Sequence, residues 1–208
     1  MRDAKAVLAA VVNDCRVYWS DYFEAGLVAG AVLAFLYCLI LLYRFICLKN
    51  IVKTSTFDAC IKIPFVALLG LYCYMVLGVT VLSRTKEAVY FFRLVPFSTW
   101  GTDTMSLKFW VENILMMIPF GILLYVLWMP FRKIYWSLFA GGLFSLIIES
   151  IQLFTRLGKF ETDDIINNIF GTLIGFLLCK GAEYISGSFL AYERKRKMKE
   201  FRAMKQHF

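Results

Sequence analysis

Residues 23–43 read FEAGLVAGAVLAFLYCLILLY, a run whose only charge, Glu24, sits at its start. A helix needs roughly 20 mostly apolar residues to cross the hydrocarbon layer of a bilayer, and this run is long enough. Three more blocks of similar character follow, Pro64–Leu82, Ile114–Phe131 and Ile134–Phe154, and then a shorter one, Ile165–Cys179. The connections between them leave no room for a separate folded domain. Composition agrees, with 60% apolar and 18% charged residues, against about half and about a quarter in soluble domains. A soluble helical protein of this sequence would need nearly every helix apolar all round. The expected fold class is therefore all-α: a polytopic transmembrane bundle of about five helices, in a multi-pass cell-membrane protein.

The two ends read differently. Asn13, Asp14 and Arg16 interrupt the N-terminal apolar residues, which excludes a secretory signal. Ala4, Val7, Leu8, Val11, Cys15 and Tyr18 instead recur at helical spacing. That pattern predicts a short amphipathic helix at the membrane interface over 1–21, ahead of a transmembrane domain over 22–190. Residues 191–208 form a basic tail with Arg194, Lys195, Arg196, Lys197, Lys199, Arg202 and Lys205, the main source of the +8 net charge. Cytoplasmic segments are enriched in Lys and Arg, so the tail is expected inside. There it would attract anionic inner-leaflet lipids, at about 1 kcal/mol per charge; a nucleic-acid partner is not expected.

Counting back through five helices places the loops 44–63 and 131–133 inside. The N-terminus and the loops 83–110 and 155–164 then face outward. This arrangement puts 14 of the 23 basic residues inside, although Arg84, Lys86, Arg93 and Lys108 in one outer loop weaken the bias. The six cysteines lack a C-x-x-C spacing and only Cys15 falls outside, so a disulfide, zinc or redox role is not expected.

Polar residues retained at the helix ends carry the functional signal, because ionisable groups in membrane segments are costly and tend to mark sites. Glu149, Gln152 and Arg156 are spaced i, i+3, i+7 on one helical face. Asp164 and Asn168 share a face, as do Asp163 and Asn167, and Gly171 and Gly175 continue the first of these and admit a close neighbour. Arg84 follows the second helix, and Asn113 and Pro119 lie in the first half of the third. Under the derived topology all of them collect at the outer ends of four helices, as an outward-facing polar pocket. Three readings follow. In one, ion pairs only fasten the helices together. In another, Arg84 and Arg156 grip the phosphate of a lipid headgroup or lipid-linked precursor, while Asn113, Gln152 and Asn168 orient it. In the third, Glu149, Asp163 and Asp164 perform chemistry there, as general base or as ligands of a hard divalent cation. His207, the only histidine, lies in the tail, so histidine-based catalysis is excluded, and no Walker, dinucleotide or G-x-S-x-G pattern occurs.

Five elements in order resemble the VanZ-like family across roughly residues 64–180. They are Leu82-Ser-Arg84-Thr85, Leu94-Val-Pro96-Phe97, Asn113 followed by Pro119-Phe120-Gly121, Glu149-x-x-Gln152 with Arg156, and Asp163-Asp164-Ile-Ile-Asn167-Asn168-Ile-Phe-Gly171. The family's outer-loop Asn before the Pro-Phe pair is replaced by Leu94 or Val95, so its role does not transfer. The resemblance implies association with resistance to teicoplanin, which acts outside the membrane on peptidoglycan precursors. It implies membrane lipids or a lipid-linked cell-wall precursor as partner. Fold-level likeness to headgroup-processing enzymes would favour a lipid-headgroup hydrolase or transferase.

The expected topology is tested by single-cysteine labelling with an impermeant reagent, in a cysteine-free background. Positions 53 and 133 should stay unlabelled in intact cells, and position 103 should label; the converse pattern reverses the orientation.

Overall fold

A computed structural model describes residues 2–47, 56–85, 92–98 and 104–205. Lys49, Lys53, Lys86, Glu87 and Asp103 lie outside the described residues, as do the side chains of Arg44, Cys47 and the tail from 191. The chain forms five long helices: α1 (Arg2–Cys47), α2 (Thr56–Leu77), α3 (Thr104–Leu127), α4 (Ile134–Thr155) and α5 (Thr162–Lys205). All five are long and apolar enough to cross a membrane. The protein is a multi-pass membrane protein.

Boundaries depart from expectation in three places. Residues 2–21 are not a separate interfacial helix but the first half of α1, which runs unbroken for 46 residues. No proline interrupts it, and Asp14 and Arg16 break hydrophobicity without breaking a helix. At 1.5 Å per residue, α1 is about 69 Å long, over twice the hydrocarbon thickness. Helix α3 starts at Thr104 rather than near Ile114, and ends at Leu127, just ahead of Pro130. Helix α5 continues through residue 190 to Lys205, so no helix end separates bundle from tail.

Helices pack where side chains are smallest. Gly30 of α1 meets Gly70 of α2, where an added side-chain carbon would lie 2.8 Å from the Gly30 Cα. Gly171 and Gly175 press α5 against α3: a Cβ on either would collide with a backbone carbonyl, Ile114 O or Ile118 O. Such close approach replaces the hydrophobic driving force that lipid does not supply. Between these pairs lies a core of Val66 and Leu69 from α2 with Met117, Phe120, Leu123, Leu124 and Leu127 from α3. Phe120 stacks on Phe144 of α4 at 4.6 Å between ring centroids. Pro119 lacks an N–H for the Leu115 carbonyl, and here the Tyr72 hydroxyl donates to the adjacent Met116 carbonyl at 2.7 Å.

Contacts distant in sequence fix which segments share an end of the bundle. Lys108 at the start of α3 pairs with Asp14 of α1. Two short strands, β1 (Phe92–Arg93) and β2 (Phe160–Glu161), pair in parallel, and Arg93 reaches Glu161 at 3.2 Å. The N-terminal half of α1 and the segments before α3 and α5 therefore gather at one end. At the other, the Tyr125 hydroxyl meets Glu183 and the Arg132 guanidinium sits 5.5 Å from the Tyr125 ring centroid.

Replacing Gly175 by Val should destabilise the bundle by about 1–3 kcal/mol through overpacking against α3. Gly181, with nothing within 4 Å of a built Cβ, should accept Ala without loss. Unfolding in mixed micelles reads both, and equal effects would contradict this packing.

Candidate functional site

Helix ends set the geometry at the first of these two faces. Helix α2 finishes in a wider, five-residue π turn, Gly78–Leu82, closed by Ser83 N–H donating to Gly78 O at 2.9 Å. Such turns are frequent at functional sites. Here the turn presents the Thr80 carbonyl sideways, where Gln152 Nε2 of α4 donates to it at 2.8 Å. Arg84 follows two residues beyond the turn, exposed at the lip.

Glu149 and Gln152 occupy one face of α4 and both are 2% exposed. Glu149 accepts the Glu161 N–H at Oε2, 2.9 Å away, which fastens the β2 strand over the helix end. Arg156 does not complete that face. Helix α4 ends at Thr155, and Arg156 takes the left-handed cap conformation at φ 60°, so the i+7 stacking is lost. Its N–H and that of Leu157 satisfy the last carbonyls, Leu153 O and Gln152 O. The Arg156 side chain is exposed.

The two aspartates at the start of α5 separate, because neighbouring helical residues point about 100° apart. Asp163, 1% exposed, accepts the Phe97 N–H at 2.5 Å and the Ser98 hydroxyl at 3.5 Å. It latches the 92–98 loop, in which Phe97 itself adopts a left-handed φ of 62°. Asp164 turns to α3 and accepts from Asn113 Nδ2 at 2.8 Å. One turn on, Asn168 donates to Ser145 of α4 at 2.8 Å and is 2% exposed. Six of the eight residues singled out in the sequence make these contacts, which tie α4 and α5 to α3, to the turn after α2 and to the segments carrying Phe97 and Glu161. Arg84 joins it electrostatically, lying close enough to attract both Glu149 and Asp164. Arg156, at the helix cap, is exposed.

The expected metal set Glu149, Asp163 and Asp164 does not converge. Among the described residues no group of three His, Cys, Asp or Glu is placed to hold a metal ion, and the physical reason is the divergence of Asp163 toward the loop. Some participants carried no sequence signal. The Thr80 carbonyl is a backbone atom freed by a π turn, and Ser145 is an ordinary small residue until α5 packs against it. Asp14, Lys108 and Glu112 form a second ionic set beside the first, with Lys108 3.8 Å from Glu112. Its i, i+4 half was legible in the sequence, while the partner in α1 was not.

A family profile described as VanZ/LLP1 matches residues 33–185 of this chain. No curated protein and no solved structure matches it.

Asp163→Ala should release the 92–98 loop at a cost of about 1.5–3 kcal/mol, the value of a hydrogen bond to a charged group. Limited proteolysis should cut within 92–98 in the variant and spare the parent; unchanged protection would show that the latch is not Asp163.

Proposed function

The chain belongs to the VanZ/LLP1 family, and from that premise we propose that the polar cluster binds the phosphate-bearing headgroup of a lipid or lipid-linked cell-envelope precursor. The observation that carries this reading is Arg84: among the described residues it forms no ion pair, yet it stands beside a buried polar set at the helix ends. An unpaired guanidinium at that level is a fork for phosphate oxygens. Asn113, Gln152 and Asn168, all tied to neighbouring helices, hold the walls rigid, and acyl or prenyl chains run down between helices. Arg156 is assigned to the rim, where it meets a headgroup only from outside.

The charge bias favours placing this face outward with the tail in the cytoplasm. Lys108 and Arg93, basic residues of the outer loop, pair with Asp14 and Glu161 respectively. An outer-leaflet headgroup site accords with the teicoplanin resistance that the family resemblance implies. Catalysis on the headgroup is a second reading, favoured by Glu149: a buried carboxylate with one oxygen engaged and the other available as a general base.

Lipid mass spectrometry of purified protein tests the proposal. A phosphate-bearing amphiphile should co-purify, and Arg84→Ala should lower its occupancy by about 10–100-fold, the equivalent of one charge-assisted contact. Arg84→Lys should restore it only in part. Undiminished co-purification with Arg84→Ala would remove Arg84 from the site. An altered lipid pool in cells that depends on Glu149 would favour turnover over binding.

A further inference from the structure

Donors and acceptors in the cluster do not balance. Glu149 uses Oε2 for the Glu161 N–H, and Asp164 uses Oδ1 for Asn113. Among the described residues the second oxygen of each carboxylate has no hydrogen-bond donor. Gln152 is 2% exposed and donates to Thr80, but its own Oε1 is buried with no partner. Roughly nine in ten buried polar groups are paired, so a bare amide oxygen at this depth needs a reason. A side-chain carbon built on Gly158 would lie 2.9 Å from Arg84 Nη1 and 3.2 Å from Gln152 Oε1, so guanidinium and amide oxygen both pack closely against this one glycine.

Among the described residues the site therefore presents four acceptors without a donor, two on carboxylates and two on the buried amides of Gln152 and Asn168, near the Arg84 guanidinium. A purely anionic headgroup would satisfy Arg84 alone. It would leave these acceptors empty and add negative charge beside Glu149 and Asp164, which already lie close enough to repel each other. A purely cationic ligand would do the reverse. A group with a phosphate and a nearby primary ammonium meets both needs, since an ammonium carries three N–H donors and no acceptor.

Building on the lipid-headgroup reading above, we infer that the headgroup is zwitterionic: a primary ammonium donates to Glu149, Asp164 and the Gln152 amide oxygen while its phosphate engages Arg84. Glu149, Asp164 and Gln152 are then the specificity-determining residues, and Arg84 supplies affinity common to any phosphate lipid.

The test compares three lipids with identical six-carbon chains, titrated calorimetrically into the full-length protein in detergent. They are a phosphoethanolamine lipid, a phosphocholine lipid that lacks ammonium N–H donors, and an anionic phosphoglycerol lipid. The ethanolamine lipid should bind at least about tenfold more tightly than either of the others, the value of one or two charge-assisted hydrogen bonds. Glu149→Gln and Asp164→Asn should erase that preference, and the parent protein's own preference decides the matter if a variant misfolds. Equal affinities for all three lipids, each lost with Arg84→Ala, would keep the headgroup reading and overturn the ammonium. Equal ethanolamine and choline affinities would overturn the hydrogen-bonded ammonium, and so would phosphoglycerol binding best once magnesium is added, because a cation would then fill the acceptors. If no lipid binds, the headgroup reading fails together with the inference.

Discussion

The close contact of α5 with α3 at Gly171 and Gly175 is the constraint on which the upper half of the bundle depends. Two glycines one turn apart let the backbones touch, and the same helical face, followed toward the N-terminus, carries Asn168 and then Asp164. With the helices pressed together there, Asp164 reaches Asn113 and Asn168 reaches Ser145. A larger residue at either glycine would lift this whole face away from its partners. The polar contacts are individually modest in a membrane setting, on the order of 0.6 kcal/mol each. Apolar and backbone packing holds the helices, and the polar groups report the register that packing sets.

That register creates an electrostatic demand. Glu149 and Asp163 are nearly fully buried, and burying charge without compensation is expensive. Asp163 meets the demand with a loop amide and hydroxyl, Glu149 in part with the N–H of Glu161. Asp164 is answered by an amide from α3. What the protein leaves unanswered includes the buried amide oxygens of Gln152 and Asn168, the buried amide nitrogen of Asn167, and the exposed Arg84 guanidinium. A merely structural set of interhelical contacts would be expected to close on itself. This one does not: among the described residues, buried polar atoms remain without a partner near the helix ends.

The fold was legible because lipid permits few solutions: long apolar runs must be helices, and five runs gave five helices. Helix boundaries were less legible, for a common reason. Polar residues such as Asp14, Lys108 and Glu112 look like chain leaving the membrane, yet they continue helices because they pair with one another. In the site, the i, i+4 periodicity correctly grouped Asp164 with Asn168, but not which helix each group would meet. The adjacency of Asp163 and Asp164 suggested a joint role, whereas helical geometry sends them to different partners. Arg156 was misread because a left-handed helix cap is usually announced by glycine or asparagine, and here an arginine occupies it.

The central claim is that Arg84 holds a lipid phosphate at the mouth of this cluster. Solid-state NMR of the protein with 15N-labelled arginine in phospholipid bilayers measures it directly, through the 15N–31P dipolar coupling, with Arg84→Lys identifying the resonance. The account predicts a strong coupling between the Arg84 guanidinium and a phosphorus nucleus, weakened when Glu149 and Asp164 are both neutralised by Gln and Asn if the ammonium helps to position the phosphate. An Arg84 guanidinium with no phosphorus coupling beyond that of arginines outside the cluster would contradict the account.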